Sequence, residues 1–420
     1  MSEIIRIIRI IRITRINQII QSFNHSVMEN FKPIALLPAH TGPGRAGPGD
    51  GRRAIIMIIL FFIIGPTLFA QEKEWMFGPF VRPDGVNPVI TPRKGPAFSC
   101  PMNEKEVYWE EMATFNPASV VRDGKVYVLY RAEDRLGEMI IGGHTSRIGM
   151  AVSEDGLHFE RKPEPVLYPD HDLQKEYEWP GGVEDPRIVE TADGNYIMTY
   201  TQWNRDVPRL AVATSSDLVD WEKHGPAFSK AYEGKYINLE SKAGAIICRP
   251  VGDRLVAERI NGKYWMYFNV PFVHIAVSDD LIGWEPLEDD RGDLLRVLNP
   301  RPGYFDSWLV EPGPPALITD DGILLIYNAG NSKHTGVPEL GHRLYTAGQA
   351  LYDAGNPLKL LDRTDTYFIR PEKEYERTGQ YVEGTTFLEG ISFFNGKWHI
   401  YYGTADSRVA VITWDPGADR

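Results

Sequence analysis

Short apolar and aromatic runs recur along the chain, and each follows a two-residue turn of the Asn-Gly or Asp-Gly kind. Turns of this kind join two antiparallel strands in a hairpin. The five turns recur at similar intervals and are Asp123-Gly124, Asp193-Gly194, Asn261-Gly262, Asp321-Gly322 and Asn395-Gly396. A further strand-like run follows each hairpin, as at positions 148–152 and 210–214. The pattern predicts an all-β fold, a five-bladed β-propeller, because each repeat would supply one blade of three or four strands.

The segment that leads into each predicted blade is polar and in most cases acidic. The five segments are Phe115-Asn116-Pro117, Glu184-Asp185-Pro186, Glu240-Ser241-Lys242, Glu311-Pro312-Gly313 and Glu383-Gly384. Because the first strand of a propeller blade runs along the central axis, these residues would ring one mouth of the channel. Neighbouring carboxylates disfavour one another's ionisation, so such a ring favours a functional site. The alternative is a structural network of ion pairs, whose cations would be Arg131, Arg147, Arg187 and Lys242.

One of these segments, Glu184-Asp185-Pro186-Arg187, combines two adjacent carboxylates with a proline and an arginine. Pro186 fixes its own φ angle and disfavours helical angles at the preceding residue, so we expect Asp185 to be extended. A strand-like run at positions 196–200 follows the next turn. The acid pair is therefore predicted at the start of a hairpin, where a rigid scaffold can present catalytic groups.

Charge and cysteine content narrow the possible functions. The 420 residues carry a net charge of −12 at pH 7. This charge argues against a nucleic-acid partner, because phosphate binding needs a basic surface. The chain lacks a cysteine and histidine cluster with metal-ligand spacing, so we expect neither a metal nor a cofactor. The two cysteines, Cys100 and Cys248, could pair in an exported protein or stay as buried free thiols.

Residues 1–70 are predicted to lie outside the folded domain. Isoleucine and arginine repeats fill positions 4–16, and a run rich in glycine, proline and arginine spans positions 41–53. Arg52 and Arg53 then precede an apolar run at 54–64, which is too short to span a bilayer and is typical of a signal peptide cleaved after about Ala70. We therefore expect residues 71–420 to form one propeller domain, exported to the periplasm or the exterior and free of the membrane after cleavage. The true start codon stays open.

Several motifs taken together resemble glycoside hydrolase family 130, the β-mannoside phosphorylases and β-mannosidases. They fall in order across the five repeats. They include Phe115-Asn116-Pro117-Ala118, Leu129-Tyr130-Arg131-Ala132-Glu133, Ser146-Arg147-Ile148-Gly149, Glu184-Asp185-Pro186-Arg187, Gly313-Pro314-Pro315 and Tyr401-Tyr402-Gly403-Thr404-Ala405-Asp406. The resemblance implies a five-bladed propeller, a mannose-containing oligosaccharide as substrate, and an inverting single displacement by phosphate or water.

The resemblance also assigns roles to individual residues. Asp185 falls where the family has its general acid, which protonates the glycosidic oxygen, in some members through a sugar hydroxyl. The residues that would bind the mannosyl unit are Asn116, Arg131 and Asp406. Further candidates for substrate binding lie in or beside the family motifs and are Arg147, Glu184, Arg187 and Lys242.

Four departures from the phosphorylase pattern favour a hydrolase. The resemblance places Leu309, Asn269 and Asn328 where the phosphorylases carry cations that hold phosphate, and none of the three is charged. Glu311 stands where the phosphorylases have a small residue. A carboxylate repels phosphate but can activate water. The pattern therefore resembles the hydrolytic, exo-acting branch, with Glu311 as general base and mannans or N-glycans as the source of substrate.

Alternatives to this interpretation are a mannoside phosphorylase, a related five-bladed enzyme that cleaves arabinan or fructan, and a non-catalytic glycan-binding propeller. Alternative bases are Glu240, Glu258 and Glu383. Loop aromatics that could stack on sugar rings, or simply pack within the loops, are Trp109, Trp179, Trp203, Tyr304 and Trp308. The linkage, β-1,2 or β-1,4, and the oligomeric state stay open.

Overall fold

Antiparallel β-strands make up nearly all of the regular structure in the computed structural model, which describes residues 73–418. The predicted signal peptide and extension, residues 1–70, lie outside the described residues. Helix in the described part is limited to Lys175–Glu178 and the 3-10 turns Ala231–Gly234 and Glu374–Glu376. None of these has the length or hydropathy needed to cross a bilayer. The prediction of an all-β fold is confirmed.

The strands follow one another in five antiparallel groups, one for each predicted repeat. A short hairpin of β1 (Phe98–Cys100) and β2 (Lys105–Val107) precedes them. The first group contains β3 (Ala113–Arg122), β4 (Lys125–Glu133), β5 (Ser146–Ser153) and β6 (Glu160–Arg161). The second contains β7 (Gly182–Glu190), β8 (Tyr196–Trp203), β9 (Pro208–Ser215) and β10 (Glu222–Pro226).

The later groups vary more in strand number. The third contains β11 (Ala245–Val251), β12 (Arg254–Ala257), β13 (Tyr264–Phe268), β14 (Val273–Ser278), β15 (Glu285–Pro286) and β16 (Arg296–Leu298). The fourth contains β17 (Leu309–Pro312), β18 (Ala316–Ile318), β19 (Ile323–Gly330), β20 (Tyr345–Asp353) and β21 (Asn356–Arg363). The fifth contains β22 (Thr386–Phe394), β23 (Lys397–Thr404) and β24 (Arg408–Trp414). The predicted Asn-Gly and Asp-Gly turns all lie at hairpins within these groups.

Parallel bridges connect neighbouring groups. They join β5 to β7 at Ser146 and Gly182, β7 to β12 at Glu190 and Val256, and β11 to β18 at Ile247 and Ala316. The fifth group gains an outer partner from the N-terminal segment, because Val81 and Ile90 bridge to Thr413 and Val409 of β24. The N-terminal segment therefore completes the last group, which the sequence pattern did not indicate.

A tyrosine, a buried acid and a cation recur together in four of the five groups. Each tyrosine hydroxyl donates to an acid that also pairs with a lysine or arginine. The sets are Tyr130, Glu110 and Arg161; Tyr200, Glu178 and Lys223; Tyr327, Asp306 and Arg363; and Tyr402, Glu376 and Arg82. Because a buried charge costs several kcal/mol when unpaired, each set fixes a loop onto its sheet. The recurrence supports an origin of the five groups in one repeated unit.

Within residues 73–418, apolar side chains fill the space between the groups in four buried clusters. Cys248 belongs to a cluster with residues from the second, third, fourth and fifth groups, and Cys100 belongs to a different cluster. Both thiols are buried and free, so the two cysteines do not pair.

Gly149 tests how closely the first group is packed. The rings of Trp109 and Tyr130 lie 6.3 Å apart and almost parallel, and a Cβ on Gly149 would meet them at 2.6 and 2.7 Å. We expect Gly149→Ala to lower the free energy of unfolding by about 1–3 kcal/mol, the usual cost of overpacking. Gly355, whose Cβ would meet its nearest neighbour at 3.6 Å, provides the control, and Gly355→Ala should change it by less than about 0.5 kcal/mol. Urea unfolding measures both, and equal effects would contradict the packing argument.

Candidate active site

Two β-bulges turn the side chains of Asp185, the predicted general acid, and Asn116, a predicted substrate-binding residue, into one pocket. The ladder between β3 and β4 is interrupted at Phe115 and Pro117, and that between β7 and β8 at Glu184 and Arg187. A bulge leaves a residue unpaired and re-aims its side chain. The re-aimed residues are Asn116, with a φ of 47°, and Asp185, with a φ of 53°. The expectation that Asp185 is extended is therefore wrong: the bulge imposes a left-handed conformation, which Asn and Asp adopt more readily than most residues.

The pocket has a volume of about 440 Å³. Seven of the predicted site residues line it, and these are Asn116, Arg131, Glu184, Asp185, Lys242, Glu311 and Asp406. Sequence reasoning did not assign several further lining residues to the site, among them Glu133, Arg343, Tyr345, Gln380, Tyr381 and Phe387. Glu133 could have been found, since it lies two residues after Arg131 on one strand and so on the same face. The others lie on loops and strands of the fourth and fifth groups, whose approach depends on the tertiary fold.

Arg131 is the cation around which the acids of the first two groups gather. Its guanidinium contacts Glu133 at 2.7 Å, Glu184 at 2.9 Å and Asp185 at 3.1 Å. Asn116 Nδ2 donates to the same Asp185 oxygen at 2.9 Å. Because all of these groups are buried, the charge-assisted hydrogen bonds fix the Asp185 carboxyl group firmly.

Lys242 lies between the two candidate catalytic carboxyl groups. Its Nζ atom is 3.9 Å from Asp185 Oδ2 and 3.9 Å from Glu311 Oε1. These two oxygens can therefore be no further apart than the sum of the two distances, about 8 Å, and inverting glycosidases place their carboxyl groups about 6.5–9.5 Å apart. The upper bound is compatible with such a pair.

The acids of the pocket differ in how firmly they hold a proton. Burial raises the pKa of Glu184 to about 7, although Arg131 opposes it, and burial likewise raises the pKa of Asp406 to about 7. Burial raises the pKa of Glu311 above its ordinary value, with Lys242 opposing. Burial acts on Asp185 too, but Arg131 and Lys242 outweigh it and leave its pKa lowered. The groups in this pocket that favour a proton are therefore Glu184, Asp406 and Glu311, whereas Asp185 favours the ionised form.

Two predicted binding residues do not line the pocket. Arg147 is fully buried and contacts Asp134 at 2.8 Å and Cys100 Sγ at 3.1 Å, so it ties β5 to the loop after β4 and to β1. Arg187 donates to the carbonyl groups of Gly313 and Pro312 at 2.6 and 3.0 Å and pairs with Glu389 at 2.7 Å. Both arginines belong to a site motif, but their side chains point into the protein.

Of the four candidate bases, only Glu311 lines the pocket. Glu240 and Glu383 are exposed, and Glu258 pairs with Arg249 at 2.9 Å in the hairpin of β11 and β12. Besides Asp406, the fifth group places Glu389 of β22 close to the site, where it pairs with Arg187 at 2.7 Å. The sequence pattern did not indicate Glu389, because this residue lies inside the largely apolar strand β22, beyond the polar segment Glu383-Gly384.

The residues at the three positions that lack phosphate-binding cations make structural contacts. Asn328 donates to the Leu388 carbonyl at 3.0 Å and accepts from the Leu388 N–H at 2.8 Å. Asn269 donates through Nδ2 to the Glu240 carbonyl and through its backbone to the Lys242 carbonyl. Leu309 is buried. These side chains hold the loops and strands of the site in place rather than facing a ligand.

Among the five candidate stacking aromatics, Trp203 lines the pocket, with its Nε1 donating to Gly142 at 3.0 Å. Trp308 lies beside the pocket, 6.2 Å from the Tyr345 ring. Trp109 is fully buried, Trp179 packs on His171, and Tyr304 lies under the Arg301 guanidinium. A larger cleft of about 780 Å³ lies between positions 162–174 and 219–223, and it shares no lining residue with the pocket.

Comparison with known proteins identifies the family of this chain. The model of glycoside hydrolase family 130, described as β-1,4-mannooligosaccharide phosphorylase, matches residues 90–416. The chain belongs to glycoside hydrolase family 130. Among family members, a 1,2-β-oligomannan phosphorylase from Thermoanaerobacter sp. (strain X514) is 33% identical over 315 residues, which cover 74% of this chain and 92% of the relative.

Solved structures of higher identity are named as hydrolases. The crystal structure of a glycosyl hydrolase from Bacteroides ovatus is 51% identical, covers 82% of this chain and 96% of its own, and superposes with a TM-score of 0.81. A structure with the same identity, coverage and TM-score comes from work on family 130 hydrolases that target β-1,2 mannosidic linkages in Candida mannan. This chain is therefore a family 130 enzyme active on mannosides, and its relatives include both hydrolases and phosphorylases.

The raised pKa of Asp406 predicts a pH-dependent stability. The folded chain holds a proton on Asp406 up to about pH 7, whereas the unfolded chain loses it near the ordinary pKa of 3.8. This carboxyl group therefore stabilises the fold at low pH, and the contribution is lost as the pH rises from about 4 to 7. We expect Asp406→Asn to gain stability relative to the wild type over this range. Urea unfolding between about pH 4 and 8 measures the difference, and a constant difference would contradict the assignment.

Proposed function

We propose that this chain is an inverting exo-β-mannosidase that hydrolyses β-linked manno-oligosaccharides derived from mannans or N-glycans. The observation that carries the proposal is the placement of Asp185 and Glu311 in one pocket, each 3.9 Å from the Lys242 Nζ atom between them. Asp185 acts as general acid on the glycosidic oxygen, and Glu311 acts as general base on the attacking water. An inverting mechanism requires about 6.5–9.5 Å between the two carboxyl groups, so that water can attack from the face opposite the leaving group, and the upper bound of about 8 Å is compatible with this requirement.

The proton that Asp185 delivers comes from its neighbours. Asp185 alone is favoured to be ionised, but Glu184 next to it shares Arg131, and its pKa is raised to about 7. The two carboxyl groups therefore titrate as a pair. A bound sugar displaces water from the pocket, which disfavours the charged form of Asp185 and so favours a proton on Asp185 that can pass to the leaving group.

We further infer that the five antiparallel groups are the five blades of a propeller, as the family resemblance implies. The parallel bridges between neighbouring groups and the pairing of the N-terminal segment with the last group support this arrangement. Export through a signal peptide within residues 1–70 remains part of the proposal. The relatives that target β-1,2 mannosidic linkages support a β-1,2-mannoside as the first substrate to test.

A mannoside phosphorylase is the second candidate. The curated relatives of 33% and 30% identity are phosphorylases, and two of the cations that line the pocket, Lys242 and Arg343, could attract phosphate. Against this stand the neutral residues Leu309, Asn269 and Asn328 and the carboxylate of Glu311. One charged hydrogen bond contributes roughly 1.5–3 kcal/mol, so the loss of three would weaken phosphate binding by a thousandfold or more.

Substitution of each carboxyl group tests the two catalytic roles. Asp185→Asn and Glu311→Gln should each lower kcat by roughly 10²–10⁴-fold, the usual contribution of a general acid or base. Glu240→Gln is the control and should stay within about threefold of the wild type, because Glu240 is exposed outside the pocket. An aryl β-mannoside with a good leaving group, which needs no proton, should restore turnover in Asp185→Asn but not in Glu311→Gln. The opposite pattern would reverse the roles.

The nature of the nucleophile is tested by omitting phosphate. We expect hydrolysis of β-1,2-mannobiose in phosphate-free buffer, with no acceleration when phosphate is added. Inversion predicts α-mannose as the first product, and proton NMR of the early time course detects its anomeric signal before mutarotation. Mannose 1-phosphate as the main product would overturn the hydrolase proposal, and β-mannose released first would overturn the inverting mechanism.

A further inference from the structure

A buried ion pair lies directly behind the two candidate catalytic carboxyl groups. Arg187 Nη1 and Glu389 Oε1 are 2.7 Å apart, and both side chains are almost completely buried. Neither residue lines the pocket. The pair therefore cannot contact a sugar in this structure, and its effect on the reaction must pass through other residues.

Arg187 connects the backbones that carry Asp185 and Glu311. Its Nη2 donates to the carbonyl of Pro312, the residue after Glu311, at 3.0 Å, and its Nε donates to Gly313 at 2.6 Å. Nη1, which pairs with Glu389, is also 3.4 Å from the Asp185 carbonyl. A planar guanidinium with several donors in fixed directions is suited to hold two chain segments at a set distance.

The position of Glu389 in the fifth group is fixed by contacts with the fourth and first groups. It lies at a bulge of β22 between Leu388 and Gly390. Asn328, which stands opposite Glu311 in the ladder of β17 and β19, binds both backbone groups of Leu388. A Cβ on Gly390 would meet the Pro117 carbonyl oxygen at 2.7 Å, so the bulge also fits closely against β3. Glu389 is thus fixed relative to the strand of Glu311 and to the strand of Asn116.

We propose that the Arg187–Glu389 pair is a positioning device that sets the separation of Asp185 and Glu311. The inference rests on the proposed function, in which that separation must admit one water molecule. A role in stability alone explains the arrangement less well, because a buried ion pair is often no more stabilising than apolar side chains of similar volume. In addition, Glu389 Oε2 has no hydrogen-bond partner among the described residues, whereas groups that serve only stability are usually satisfied.

Two variants separate positioning from stability. Glu389→Gln keeps the shape but replaces the carboxyl group that faces Arg187 by an amide, and we expect kcat to fall by about 10²-fold, the scale of a misplacement of about 1 Å, with KM within about threefold. The double variant Arg187→Met with Glu389→Leu replaces the pair by apolar side chains and should recover the melting temperature to within a few degrees of the wild type. Its kcat should stay at least tenfold below the wild type. Recovery of kcat together with stability would overturn the proposal.

A matched control uses another buried glutamate of the same part of the chain. Glu376 is fully buried and pairs with Arg82 at 2.7 Å, but it does not line the pocket and does not contact Arg187. Glu376→Gln should lower the melting temperature and leave kcat within about threefold of the wild type. If Glu376→Gln lowers kcat as much as Glu389→Gln does, the effect reflects general loss of packing, and the positioning role is wrong.

Failure of the proposed function is detected separately, by testing whether the wild type alone requires phosphate. A wild type that needs phosphate is a phosphorylase, and the proposed hydrolysis is then wrong. The ratio of kcat between wild type and Glu389→Gln is measured in whichever reaction the wild type performs. A ratio near one overturns the positioning role in either case, and a ratio of about 10² with kcat still low in the apolar double variant supports it.

Discussion

The site depends on a balance of buried charge in which acids outnumber cations. Among the described residues, five carboxyl groups and three cations line the pocket: Glu133, Glu184, Asp185, Glu311 and Asp406 face Arg131, Lys242 and Arg343. Buried carboxylates without partners are too costly to stay ionised, so part of the set takes up protons. Burial raises the pKa values of Glu184, Asp406 and Glu311 in this way, whereas Arg131 and Lys242 together outweigh burial at Asp185 and lower its pKa. A pocket of this kind stores protons near neutral pH and disfavours a dianion.

Much of the fold follows from local sequence. Asn-Gly and Asp-Gly turns specify hairpins through their backbone preferences alone, and all five predicted hairpins are present. The site motif also identified the strand on which Asp185 lies. The conformation of Asp185 was not predictable in this way, because the preference imposed by Pro186 acts locally whereas the bulge is set by pairing with β8. Local sequence signals therefore located the strands and their acidic residues, whereas the register between paired strands determined where the side chains point.

The residues that sequence reasoning missed or misplaced depend on contacts between groups. Arg187 belongs to the acid motif and was expected to bind substrate, yet its donors are taken by the carbonyl groups of Pro312 and Gly313, far along the chain. Glu389 lies within an apolar strand, where a single acid is usually read as a surface position. Position 328 is a similar case. The sequence shows that it lacks a cation, but it does not show that the Asn328 side chain binds both backbone groups of Leu388.

The pairing of the N-terminal segment with β24 has a consequence for biosynthesis. Asn87 accepts from and donates to Val411, a residue 324 positions away. Contacts of such high sequence separation form slowly, because the chain entropy is lost before they are made. The last group cannot acquire its outer partner until the C-terminal strands have emerged from the ribosome. During synthesis the N-terminal segment must therefore remain without its partner strand until β24 has been made, so the fifth group is completed only after nearly the whole chain has left the ribosome.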